Sequence, residues 1–159
     1  MSTDGASGPA ATPAVPNLPA GGQRRRLVLA GTRGQVAAGR DFGRRALADW
    51  YAATTGDPRT ESTADDVLLL ISELLANALM HAGGPLDLVL HGTATTLRVE
   101  VTDADRTVPR PKEPYRAGAP GGHGLHIVGR LSDRWGVEVS EHGKTVWLEI
   151  GAARITSGA

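Results

Sequence analysis

The stretch that most constrains this chain is Asp65 to His81, DDVLLLISELLANALMH. From Val67 to Met80 it is apolar almost all round, which predicts a helix packed on both sides, and the exceptions are Ser72, Glu73 and Asn77. Glu73 and Asn77 are four residues apart and so share one helix face, with Asp66 a turn or two below and His81 just past them. A carboxylate taken out of water without a partner costs several kcal/mol. Asn is a poorer helix former than Ala by about 0.7 kcal/mol. Something has to offset both costs, and the helix alone leaves two readings open. The pair bonds to itself or to a neighbouring strand and fixes the helix orientation. Alternatively the stripe lines a cleft, with the Asn77 oxygen offered to a hard cation and Glu73 accepting a proton from a hydroxyl.

A chain of 159 residues suffices for one domain with a core, and with only 4% aromatic residues that core has to be aliphatic. Basic and acidic residues balance at a formal charge of zero, so there is no electrostatic footprint for direct binding to nucleic acid or to an anionic membrane. The absence of cysteine excludes disulfides, thiolate metal sites and a cysteine nucleophile. No apolar run approaches ~18 residues and no basic segment leads into an apolar one at the start, so neither a membrane span nor an export signal is expected. Cytoplasmic location is the expectation.

Residues 1–23, rich in Ala, Gly, Pro, Ser and Thr, read as a disordered N-terminal tail. Arg24, Arg25 and Arg26 lead into a short strand at Leu27 to Leu29, and Thr32 to about Thr55 reads as an amphipathic helix that Gly39 and Gly43 weaken. Ser62 or Thr63 is placed to cap the central helix, which stops at Ala82-Gly83-Gly84-Pro85. Strand patterns follow at Leu86 to His91 and Thr96 to Asp103, joined by Gly92-Thr93-Ala94-Thr95. Ala104 to Pro120 has no period and carries Arg106, Arg110, Lys112 and Arg116, a basic lid or an ordinary exposed loop. Gly121-Gly122-His123-Gly124 opens the helical pattern Leu125, Ile127, Val128, Leu131, and glycines entering a helix expose backbone N–H groups to an anion. Trp135 to Ser140 and Lys144 to Ile150 form a closing hairpin, residues 24–151 make the domain, and residues 152–159 are a C-terminal tail.

Two motifs are rejected. Gly143-Lys144-Thr145 looks like the end of a P-loop, yet Glu138 holds the upstream glycine position and a strand follows. His123 and His126 lack a third partner for a metal site.

Taken in order, the helix with Glu73 and Asn77, the strand ending at Asp103, the long lid, the glycine-rich helix start and the last strand resemble the nucleotide-binding family shared by gyrase, heat-shock protein 90, histidine kinases and MutL, the GHKL type. ELLANALMHA is similar to its N box, Asp103 to its first glycine box, GGHGLHIV to its second and GKTVWL to its third. Among its members the chain most resembles the small anti-sigma factor serine/threonine kinases. The resemblance implies a Bergerat-type α/β two-layer sandwich of α+β kind, with a mixed, mostly antiparallel sheet and helices on one face.

It also implies ATP and Mg²⁺ as cofactors. Asn77 would hold Mg²⁺, and Glu73 would be the base orienting the attacking hydroxyl. Asp103 would accept a hydrogen bond from the adenine amino group. Gly122, Gly124, Leu125 and His126 would hold phosphates, and Thr145 would support the adenine end. The implied partners are a sigma factor and an anti-anti-sigma protein of STAS type, with a homodimer as the family's assembly. The alternative is a non-catalytic ATP-gated partner-binding module of the same fold. The first glycine box departs from Asp-x-Gly-x-Gly, reading Asp103-Ala104-Asp105-Arg106-Thr107.

Overall fold

A computed structural model describes residues 16–52, 58–108 and 123–157. The elements are β1 (Gln23–Val28), α1 (Gln35–Tyr51), α2 (Pro58–Ala82), β2 (Pro85–Gly92), β3 (Thr96–Asp103), α3 (His123–Leu131), β4 (Arg134–Ser140), β5 (Gly143–Gly151) and α4 (Ala152–Ser157). The strands form one sheet in the order β1-β2-β3-β5-β4, and every neighbouring pair is antiparallel. This is the two-layer α+β sandwich, with an antiparallel sheet where a mixed one was expected. The crossover through α3 does bring β4 back in the direction of β3, but one strand further out. The hairpin strand β5 then fills the gap, so no parallel pair forms.

Strand alternation places the core. Leu88 and Leu90 of β2, Leu97, Val99 and Val101 of β3, and Val146, Leu148 and Ile150 of β5 are buried in one cluster with α1, α2, α3 and α4. The intervening residues form the other face of the sheet. There Arg98 stacks on the Trp147 ring at 4.2 Å and bonds Glu149 Oε1 at 3.0 Å, while Arg134 bonds Glu149 Oε2 at 2.7 Å. Burial opposes the charge on Glu149, but the hydrogen bonds from Arg98 and Arg134 outweigh it and hold its carboxyl below the ordinary range.

Gly39 and Gly43, which weaken α1 on propensity, are what let it dock. A side chain at Gly39 would run into Leu75, and one at Gly43 into Ile71 and Leu68, all on α2. The spacing of four puts both glycines on one face, and the close approach of the helices offsets their cost of roughly 1 kcal/mol each. The last turn of the same helix face seats Trp50 and Tyr51 in the core, where the Trp50 Nε1–H donates to Gln23 Oε1 at 2.6 Å.

Helix α2 begins at Pro58, a turn before the expected caps Ser62 and Thr63, because proline's fixed φ and missing N–H are tolerated in a first helical turn. Its end matches expectation. Gly83 takes the left-handed φ of +72° and the Gly84 N–H donates back to the Ala78 carbonyl at 3.0 Å, which closes the helix end.

Both ends of the chain hold more structure than the sequence suggests. Residues 1–15 lie outside the described residues, but Leu18 packs on the core and the Asn17 N–H donates to the Trp50 carbonyl at 2.7 Å. The stretch expected as a C-terminal tail from residue 152 is instead helical through Ser157. Ala152 and Ile155 are buried, and Arg154 Nη1 donates to Asp133 Oδ1 at 2.8 Å. Six residues are too few for propensity to predict a helix, and here docking against α2 supplies the stability. Among the described residues no helix is long and apolar enough to cross a membrane.

Tyr51 offers a pH test of this packing. Burial pushes its hydroxyl, which donates to the Thr93 carbonyl at 2.9 Å, up to about 12. The folded state therefore keeps a proton that the unfolded chain loses near pH ~10. Its contribution is fully present below that pH and is lost as pH rises towards 12. In a Tyr115→Phe variant, absorbance titration of the single remaining tyrosine should show a midpoint near 12, with urea stability falling over the same window. A midpoint at the ordinary ~10 would contradict the buried placement.

Candidate nucleotide site

The site starts from the polar stripe of α2. Leu68, Ile71 and Leu75 meet α1, and Glu73 and Asn77, by the helical turn, lie on the opposite flank. Both are half-buried. Among the described residues neither side chain takes part in a hydrogen bond or ion pair, whereas Ser72 Oγ is spent on the Leu68 carbonyl at 2.9 Å. The reading in which the pair merely fixes helix orientation needs such bonds. Their absence among the described residues leaves an amide and a carboxylate, one turn apart, open to a ligand.

At the edge of the helix–sheet layer the last residue of β3 meets the second residue of β5. The register pairs Asp103 with Lys144. Both are buried, at 1% and 2% exposure, and Lys144 Nζ donates to Asp103 Oδ1 at 2.9 Å and to the Asp105 carbonyl at 3.2 Å. The Asp105 N–H donates to the same Asp103 oxygen at 2.9 Å. This close packing requires Gly143, whose φ is +156° and where any Cβ would collide with the Asp103 carbonyl.

Asp105 in turn accepts from the Thr107 N–H at 2.8 Å. Hydrogen bonds from Thr107 chiefly hold its carboxyl below the ordinary range, with smaller attractions from Lys144 and from His81 in the last turn of α2. Pro85, which follows α2 after two glycines, pairs with Asp103, so the end of α2 and the end of β3 share one neighbourhood, and the chain leaving β3 is held by successive Asp-type turns.

The remaining expected site residues divide. Gly124, Leu125 and His126 lie in the first turn of α3, with Leu125 buried and His126 half-buried, so the helix start is where the resemblance puts it. Gly122 lies outside the described residues, as does the stretch 109–120 expected as a lid. Thr145, expected to support the adenine end, does not share the sheet face of Asp103. It pairs with Thr102, their hydroxyls 2.9 Å apart, on the sheet face turned away from the helices.

The physical reason is the period of two. With Val146, Leu148 and Ile150 facing the helices, the residue of β5 on the face of Asp103 is Lys144, and its neighbour Thr145 has to point the other way. In the sequence Lys144 stands in a rejected P-loop, at the start of a strand and within GKTVWL, and none of these gives it a site role. The even-numbered alternation along β5 was the signal that could have found it.

Among the described residues no group of three His, Cys, Asp or Glu side chains is placed to hold a metal ion. A cation at Asn77 would therefore draw most of its ligands from elsewhere. Mg²⁺ fits such a donor set, since it takes one or two protein oxygens and completes its shell with phosphate oxygens and water.

The model of the histidine kinase-like ATPase domain family matches residues 40–150, a span from α1 to β5 that contains every site residue named above. Among solved structures, the chain is similar to the histidine kinase domain from the Erythrobacter litoralis EL346 blue-light activated histidine kinase. The identity is 24%, over 77% of this chain and 64% of that one, with a TM-score of 0.46. The chain thus spans just under two thirds of that structure's length. No curated protein matches it.

Proposed function

This chain belongs to the histidine kinase-like ATPase domain family, of the GHKL type, and from that premise we propose that it is an anti-sigma regulatory protein with serine/threonine kinase activity. It binds Mg-ATP, holds a sigma factor, and phosphorylates a serine or threonine of a STAS-type anti-anti-sigma partner. The observation that carries the reading is the Glu73–Asn77 stripe, without partners among the described residues, on an otherwise apolar helix whose end adjoins Asp103 and its turn.

In this reading the Asn77 oxygen holds Mg²⁺, which supplies charge neutralisation on the phosphates when bound. Backbone N–H groups at the start of α3 bind the phosphate oxygens. Asp103 faces the base. Glu73 orients the partner's hydroxyl and takes its proton as the oxygen bonds to the γ-phosphorus. The bond from that phosphorus to the bridging oxygen breaks, and ADP leaves with the electron pair.

The test uses the full chain, Mg-ATP and the STAS-type proteins of the same genome, with phosphorylation read by mass spectrometry. One of them should gain a phosphoryl group, and Glu73→Ala should slow the transfer by about 10²–10⁴-fold while leaving ATP affinity near that of the wild type. Unchanged transfer in Glu73→Ala would remove the catalytic role. A second reading, a non-catalytic ATP-gated binding module, draws on the hydrogen-bonded, glycine-free turns from Asp103 to Thr107. Nucleotide-dependent partner binding with no phosphoryl transfer would select it.

A further inference from the structure

The Asp103–Lys144 pair changes what the base end of this site can recognise. A lone carboxylate offers a base only hydrogen-bond acceptors. Here a buried ammonium sits beside it at 2.9 Å. Of its three N–H groups, two are engaged among the described residues, on Asp103 Oδ1 and on the Asp105 carbonyl, which leaves one donor. Removing either member of a buried pair strands an uncompensated charge, so an entering base is better bound by the pair intact than by displacing the lysine. The backbone backs this arrangement. The Asp105 N–H holds the carboxylate from one side, and the Gly143 conformation lets β5 close on the Asp103 carbonyl from the other.

Resting on the ATP-binding reading above, we propose that Lys144 is a second base-reading residue, donating to adenine N1 while Asp103 accepts from the neighbouring 6-amino group. The pair presents an acceptor beside a donor. The adenine edge presents the complement, a donor at N6 beside an acceptor at N1. Guanine reverses both groups at the corresponding positions. With a cationic donor the N1 contact is charge-assisted, and N1 becomes a point of recognition in its own right.

The experiment compares the full chain's affinity for ATP, for 1-deaza-ATP, in which adenine N1 is replaced by C–H, and for GTP. Wild-type protein should bind 1-deaza-ATP roughly tenfold to a hundredfold more weakly than ATP, the worth of one charge-assisted hydrogen bond. GTP should bind more weakly than ATP. Lys144→Met should bring ATP and 1-deaza-ATP to equal affinity, and Lys144→Arg, which keeps a cationic donor, should keep the preference.

Equal affinity of the wild type for ATP and 1-deaza-ATP would overturn the proposal while leaving the ATP site standing. So would an undiminished preference in Lys144→Met, or GTP binding more tightly than ATP. No binding of ATP at all is the distinct outcome that removes the ATP-binding reading on which the proposal rests. Should Lys144→Met fail to fold, the wild-type comparison across the three nucleotides still decides.

Discussion

Replacing Asn77 with alanine should make the protein slightly more stable and much worse at binding Mg-ATP. Asn77 makes no side-chain hydrogen bond among the described residues, so its loss breaks nothing in the fold. Alanine raises helix propensity at that position by up to about 0.7 kcal/mol. The same substitution removes the amide oxygen proposed to hold Mg²⁺. Because even outer-shell partners of a metal are worth tenfold to a hundredfold, loss of the direct ligand should weaken magnesium-dependent ATP binding by at least roughly a hundredfold. Urea unfolding and calorimetric titration of the one variant read both effects. A variant that is destabilised and binds Mg-ATP normally would return Glu73 and Asn77 to a purely structural role.

Asp103→Ala should be the most destabilising single change at the site. It leaves the Lys144 ammonium at 2% exposure with only the Asp105 carbonyl for company. Breaking a buried pair from one side costs about 3–5 kcal/mol. A double variant, Asp103→Leu with Lys144→Met, removes both charges and keeps the volume, and should recover most of that loss. Midpoints of urea unfolding for the single and double variants give the coupling directly. If the double variant were as unstable as Asp103→Ala, cavity or backbone damage at the end of β3 would be responsible and the ion pair would not. The double variant should nevertheless lose ATP, since it presents the base with an apolar wall.

The helix with its Glu73–Asn77 stripe was legible in the sequence because burial and polarity conflict there, and only a ligand or a partner group resolves such a conflict. The five strands were legible from alternation and from the glycine and proline breaks between them, and the order of the pieces carried the family. What escaped depends on contacts between distant segments. Gly39 and Gly43 look like flaws in α1 until Ile71 and Leu75 are seen to occupy the space they vacate. The six residues of α4 have no helical signal strong enough to read alone. Lys144 and Thr145 differ by one position, and a one-residue difference in a strand exchanges the two faces of the sheet. A motif match that names a residue type without its register therefore chose the threonine, while the alternation of Val146, Leu148 and Ile150 chose the lysine.

The measurement that tests the account most directly is a calorimetric titration of the full chain with ATP, in the presence and in the absence of Mg²⁺. Saturable binding of one nucleotide per chain, tightened by magnesium, is the predicted result. Absence of binding up to near-millimolar ATP, with the protein folded throughout, would contradict it.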